Sequence, residues 1–397
     1  MSDEGARRAG RDSRTGGARQ AELAQYPDRI DQIVPSFAAH DAIGAHVRHM
    51  RDAIRRLGVE SDVWAIDSLP EVRREARQLD TLPGGAIPGT WLVFHHSIGT
   101  PAAEVFAGRS EVKILDYHNL TPGHMLASWA PQVQAEVDLG RKQLDELAPE
   151  CFFALADSAY NEAELHEAGC HRTRVLPPLF DLGILDRATD ADLARRLAAE
   201  RQTGGSDWLF VGKVAPHKAQ HELVKALAVY RRIFDPDARL HLVGTGMGED
   251  YPRALERFAR RLGVADALRM AGVVPPETLA TYYRAADVFV SASEHEGFGV
   301  PLVEAMHAGT PVVARAFAAV PETVGTGGLL LDDPSPIALA VAVHRVVTDA
   351  VLRDALAGAG RRRAAFFSLE RGVERVEQFV AEVAALLAAD GSRGRRG

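Results

Sequence analysis

The sequence has only two cysteines, Cys151 and Cys170, too few for a disulfide framework or a thiolate metal site. Both sit among apolar residues and read as core. It lacks any uninterrupted apolar run long enough to span a bilayer. Its first twenty residues carry five arginines but no apolar stretch, and so do not read as a secretory signal. They read as a disordered basic tail over 1–24, echoed by "GSRGRRG" over 391–397. Cytoplasmic residence is expected. A positive balance is missing too: the formal charge of −8 excludes a general nucleic-acid binder. It also argues against tight docking on anionic membranes, leaving only peripheral contact through a local basic patch.

What is present is alternation. The 397 residues are too many for one ordinary core, and short β-rich runs such as "IDQIVPSF", "GTWLVFHHS" and "CFFALADSAY" alternate with helical patterns. Such alternation predicts parallel sheets covered by helices on both faces. The chain therefore reads as α/β, with two tandem Rossmann-like, doubly wound domains over 25–180 and 207–367. Between them, a Pro-Pro pair at Pro177 and the run "RQTGGSD" suggest a linker over 181–206. A long amphipathic pattern over 368–390 is expected to be a helix packed against protein. In such sheets ligands bind beyond the carboxyl ends of the strands, so strand-to-helix turns are the places to search.

One such turn is "SEHEGFGVPLVEAMHAGTPVVA", starting at Ser293. Pro301 suits the first turn of a helix, and a helix start attracts anions, phosphate above all. Glu296 and Glu304 flank this anion site; carboxylates there make sense as acceptors for hydroxyl groups on either side of a phosphate. A sugar, a diphosphate and a ribose fit that order.

The setting "S-x-x-E-G-F-G-x-P-x-x-E-A-M" resembles the E-x7-E signature of retaining glycosyltransferases of family 4. That resemblance implies the GT-B fold, with a cleft between the domains and a C-terminal helix crossing back to the first. It assigns Glu296 to the donor sugar, Glu304 to the ribose, and Gly297, Phe298, Gly299 and Leu302 to the donor-binding turn. In "LFVGKVAPHKAQ", Gly212, Lys213 and Lys218 are similar to the family's Gly-Arg…Lys diphosphate grip; lysine at 213 keeps the charge but loses arginine's planar fork. In "DYHNLTP", His118 falls where the family places a histidine facing the donor sugar. Gly44, after Asp41, stands where the family has a glycine-rich turn near the donor phosphates; Asp41 equally suits a plain helix N-cap. His96 is a candidate for the acceptor side, with core or surface roles equally open to it.

The implied reaction is transfer of a hexosyl group from a GDP- or UDP-sugar to a hydroxyl acceptor with retention. Lys213, Lys218 and the helix start would neutralise the leaving diphosphate. His118, Lys213, Lys218 and Glu296 are thus the expected catalytic residues. No Asp-x-Asp metal motif of the other major transferase fold is evident, so no essential metal or cofactor is expected. The acceptor and the oligomeric state are not legible in these motifs. A dehydrogenase reading of "GTGMGED" fails because Gly244, Gly246 and Gly248 are not spaced G-x-G-x-x-G. A nucleotide-sugar epimerase of the same fold and a non-catalytic binding subunit are the alternatives.

Overall fold

The structure, a computed structural model, describes residues 26–393 except 39–40, 71, 188, 203 and 333–334. The basic tail over 1–24 lies outside these residues. Of 391–397, the backbone of 391–393 continues the last helix and the rest lies outside.

Seven strands form the first sheet: β1 (Arg29–Phe37), β2 (Val63–Ser68), β3 (Arg77–Gln78), β4 (Thr90–His96), β5 (Val112–Tyr117), β6 (Phe153–Ala156) and β7 (Thr173–Val175). Their order is β3-β2-β1-β4-β5-β6-β7, every neighbour parallel. Six form the second: β8 (Asp207–Val211), β9 (Arg239–Val243), β10 (Leu268–Gly272), β11 (Val288–Ser291), β12 (Val312–Arg315) and β13 (Gly328–Leu331). Their order is β10-β9-β8-β11-β12-β13, again all parallel. Both sheets are doubly wound. Their winding reverses between β1 and β4, and between β8 and β11, and ligand crevices open at such reversals.

Local chemistry sets the element ends that matter here. Asp41 caps the helix Ala42–Arg56, its side chain accepting from the Gly44 N–H. Gly58, at φ +83°, stops the chain just beyond that helix. The helix Val300–Ala308 starts at Gly299, whose φ of +91° an L side chain rarely adopts, carries Pro301 in its first turn, and ends at Gly309 with φ +79°.

The segment read as a linker is not loose. It carries helices Ile184–Arg187 and Ala191–Gln202, and Leu185, Leu193 and Leu197 are buried in the second domain's core. Arg201 pairs with Asp287 at 2.9 Å, and the Asp190 N–H donates to Thr281 Oγ1 at 2.9 Å. The apolar residues of this stretch recur at helical spacing, and their burial ties it to the second domain.

The last helix, Leu369–Arg393, returns to the first domain. Val376, Phe379, Val380 and Val383 are fully buried there among Ile30, Met50 and Phe153. Arg174 of β7 pairs with Glu382 at 2.7 Å. Among the described residues, no helix is long and apolar enough to cross a membrane.

Candidate functional site

A cavity of about 280 Å³ lies where the two winding reversals face each other. From the first domain it is lined by Ala42, Ile43, His46, His118, Asn119 and Asp157, and from the second by Lys218 and the turn His295–Pro301. His118, Lys218, Glu296, Gly297, Phe298 and Gly299 therefore meet in one place, although 178 positions separate His118 from Glu296 in sequence.

At its centre Lys218 Nζ lies 2.7 Å from Glu296 Oε1, with side chains only 18% and 15% exposed. Lys218 closes the single 3-10 turn Pro216–Lys218, and Ala219 behind it takes a left-handed φ of +50° to begin the next helix. Two histidines flank this lysine. Burial and then the Lys218 charge push His217 down to about 2 and His295 down to about 4, so both stay neutral. Positive charge at this loop is left to the lysines.

The other expected donor residues are placed differently. Lys213 is exposed and does not line the cavity. Gly212, with φ +142° and its N–H bonded to the Val243 carbonyl at 2.9 Å, sets the course of the loop that carries it. Glu304 is half-buried, and its Oε2 accepts from the Tyr283 hydroxyl at 2.7 Å; burial raises its pKa. Leu302 and the Phe298 ring belong to the second domain's core, where Phe298 meets Phe367 edge-on at 5.2 Å. The Phe298 contribution to the cavity is a matter of how its ring anchors the turn.

Three glycines serve packing. A Cβ on Gly44 would stand 1.8 Å from the Ala38 carbonyl oxygen, so Gly44 lets its helix seat against the end of β1. Gly44 itself does not line the cavity, although Ala42, Ile43 and His46 of the same helix do. A Cβ on Gly297 would come 2.5 Å from Asn119 Cβ, so Gly297 is where the two domains touch. One on Gly299 would strike Leu302 at 2.7 Å.

Sequence reasoning missed the residues that join the domains. Asn119 adopts φ +71°, donates to Asn161 Oδ1 at 2.7 Å, and bonds through its own Oδ1 to His295 Nε2 across the cleft. Ser158 Oγ donates to the Gly297 carbonyl at 2.8 Å, and the Ala159 N–H donates to Glu322 Oε2 at 2.8 Å. Trp129 meets Tyr251 edge-on at 5.2 Å. Only Asn at a positive φ offered a local signal, since Asn is enriched there.

Behind His118 lies a buried polar cluster. His118 Nδ1 is 3.0 Å from Asp157 Oδ1 and its Nε2 is 2.9 Å from His95 Nδ1. His95 Nε2 is 2.9 Å from Gln32 Oε1, and His46 Nε2 is 2.8 Å from Asp116 Oδ2. Burial works against a charge on His118, but Asp157 and Asp116 outweigh it and raise the pKa to about 9. Burial lowers His95 to about 4 against the pull of Asp116. Asp116 itself, although buried, is held well below the usual carboxylate range by His118 and His46. His96, the acceptor-side candidate, is fully buried with Nε2 on the Gly140 carbonyl at 2.9 Å, a core position.

His46, His95, Asp116 and His118 each point one ligand atom inward, all within 4.8 Å of one another. Hydrogen bonding nevertheless opposes an ion held by all four. The Leu179 N–H donates to His46 Nδ1 at 3.0 Å, so His46 Nε2 carries the ring proton and turns it on Asp116. Its lone pair is not available to a cation. Two Asp-x-Asp spacings do occur, contrary to the motif reading. Asp190 accepts from the N–H groups of Asp192 and Leu193, and Asp235 from that of Asp237, so in both the first carboxylate is committed to a local turn.

Residues 198–363 match the family described as glycosyl transferases group 1. The chain is 38% identical over 257 residues to a D-inositol 3-phosphate glycosyltransferase of Geodermatophilus obscurus, covering 62% of this chain and 54% of that one. It is 38% identical over 225 residues to the Actinosynnema mirum protein of the same name, covering 53% and 52%. The chain thus spans about half the length of the curated relatives it matches. In structure it is similar to sucrose-phosphate synthase from Thermosynechococcus elongatus, with a TM-score of 0.71 and 21% identity over 90% of this chain and 100% of that one. It also resembles Anabaena Alr3699/HepE in complex with UDP and glucose, with a TM-score of 0.66 and 18% identity over 88% and 99%. The fold is GT-B.

Proposed function

We propose, from the premise that residues 198–363 belong to the group 1 glycosyltransferases, that this protein transfers a hexosyl group from a nucleoside-diphosphate sugar to a hydroxyl acceptor with retention of configuration. The observation that carries this reading is the Lys218–Glu296 pair at 2.7 Å beside the start of the helix Val300–Ala308. A diphosphate at that helix start would take Lys218 as its counter-ion. Glu296, released from the lysine, would accept hydrogen bonds from the sugar. Glu304 Oε1, not used by Tyr283, would serve a ribose hydroxyl.

Catalysis then depends on stabilising the departing diphosphate. Lys218 and the helix start supply that from the cavity, and Lys213, exposed on the same loop, is the second cation that the donor would have to draw in. The departing phosphate oxygen takes the acceptor's proton, so that attack and departure share one face. Because HepE holds UDP, UDP-sugars are the first donors to test, with GDP-sugars next. The name of the sequence relatives makes inositol 3-phosphate the first acceptor.

The test has two stages. Donor binding is read as a rise in melting temperature with UDP-, GDP-, ADP- and dTDP-sugars. Transfer is then read by mass spectrometry with candidate acceptors, and anomeric configuration by NMR of the product. If no nucleotide-sugar raises the melting temperature, the donor assignment is wrong. Conversion of the donor without acceptor would favour an epimerase, and binding without turnover a non-catalytic subunit.

A further inference from the structure

We propose that His95 and His118 share a single proton between Asp116 and Asp157, so that this wall of the cleft holds one net negative charge where a sugar cation would form. The role given to that charge rests on the transferase reading; the proton count does not.

The hydrogen bonds fix the count. Gln32 Nε2 donates to the Val47 carbonyl at 3.2 Å, which turns its Oε1 toward His95. His95 Nε2 must therefore carry a proton. Its Nδ1 faces His118 Nε2 at 2.9 Å, and the two rings are parallel to within 2°, so one proton lies in the plane of both. His118 Nδ1 faces the Asp157 carboxylate and donates to it. Two limiting forms result, differing only in where that one proton is bonded. With it on His118 Nε2, His118 is the cation and Asp157 its partner. With it on His95 Nδ1, His95 is the cation and Asp116 Oδ2, at 3.2 Å, its partner.

A second proton on the pair would set two N–H groups against each other at 2.9 Å. Removing the shared one would set two lone pairs against each other between two buried carboxylates. The values of about 4 for His95 and about 9 for His118 agree with one proton across the neutral range. The other groups facing the pair are His46, which donates to Asp116, and Asp41, whose charge acts on His118 and whose own pKa burial raises against the Lys213 charge. Asp116 Oδ1 is buried with no hydrogen-bond partner among the described residues, and the excess negative charge falls on whichever of Asp116 and Asp157 the shared proton leaves without a cation.

His95 does not line the cavity and is therefore a positioning residue acting through His118. In a transfer reaction the sugar would lie between this negative wall and the lysines opposite, so positive charge on the sugar is stabilised from one side and negative charge on the diphosphate from the other.

The test reads protonation directly. Two-bond nitrogen–proton NMR spectra of histidine-labelled full-length protein, followed from pH 5 to 10, should show one positive charge on the pair until it is lost near pH 9. Two charges at pH 7, or none, would overturn the proposal. His95→Gln keeps an acceptor for His118 and should keep its charge at neutral pH. His95→Leu should lower the His118 pKa by at least one unit and, in a transfer assay, reduce kcat more than it changes donor KM. A leucine variant that titrates like the wild type would count against the assignment. If the spectra agree but no wild-type transfer is found, the transferase reading fails and the shared proton stands.

Discussion

Glu296 and Lys218 hold each other in the cleft, so each substitution acts on both. Glu296→Ala should abolish transfer while a nucleoside diphosphate still binds, because Lys218 is then free for phosphate. Wild-type turnover in that variant would refute a sugar contact. Lys218→Ala should lower kcat at least a hundredfold, the range seen when one transition-state donor is removed. Gly44→Ala should act on the fold instead. Its new methyl would stand 1.8 Å from a carbonyl oxygen, and such overpacking costs at least about 1–3 kcal/mol. Thermal melting measures this, and an unchanged melting point would mean that the backbone around Ala38 yields to the added methyl. At this scale legibility depended on distance along the chain. The Glu296–Glu304 turn was readable because its chemistry lies within nine residues. The His95–His118–Asp157 cluster was not, because its members come from β4 and from the turns just after β5 and β6, and only the sheet order joins them.

Among the elements, the order of strands and helices was legible from alternation, and the ends at Gly58 and Pro301 from single residues. The helix Ala191–Gln202 was hidden by its flanks. The Pro-Pro pair before it and Gly204-Gly205 after it signal breaks strongly, while Leu193 and Leu197 alone mark its buried side. The last helix owes its place to packing. Phe379 is fully buried and lies 6.0 Å from the Phe153 ring. Phe379→Ala should destabilise the protein by about 3–5 kcal/mol. Denaturant unfolding measures this, and a loss under 1 kcal/mol would mean the helix end contributes little to the first domain.

For the whole molecule, the two domains meet at a few contacts, and at Gly297 an added Cβ would come 2.5 Å from Asn119 Cβ of the first domain. Gly297→Ala should force the domains apart and raise the radius of gyration in solution X-ray scattering; an unchanged radius would mean that Asn119 yields locally. Stability should also peak near neutral pH. Burial lowers His95, His96 and His295 to about 4 and His217 to about 2. Unfolding returns them toward 6.5, so below that pH the unfolded chain binds more protons and stability falls as pH falls. Each adds up to about 1.4 kcal/mol per pH unit. His118 works from the other side. Its contribution is complete below pH 6.5 and is lost as pH rises through about 9. Calorimetry from pH 5 to 10 should show melting temperatures falling on both sides; a flat profile would contradict the burial of these rings.

The return of residues 369–393 to the first domain also governs how the chain can be made. Ile30, Met50 and Phe153 are synthesised early, yet the side chains that cover them, Val376 to Val383, come more than two hundred residues later. Until those residues leave the ribosome, the first domain carries an open apolar face, and the second domain can complete its own core before the first does. Such a face invites aggregation or a chaperone. Residues 26–182 expressed alone should therefore be poorly soluble, and supplying residues 368–393 as a separate peptide should recover them. Good solubility of the fragment without the peptide would mean that the early face closes on itself.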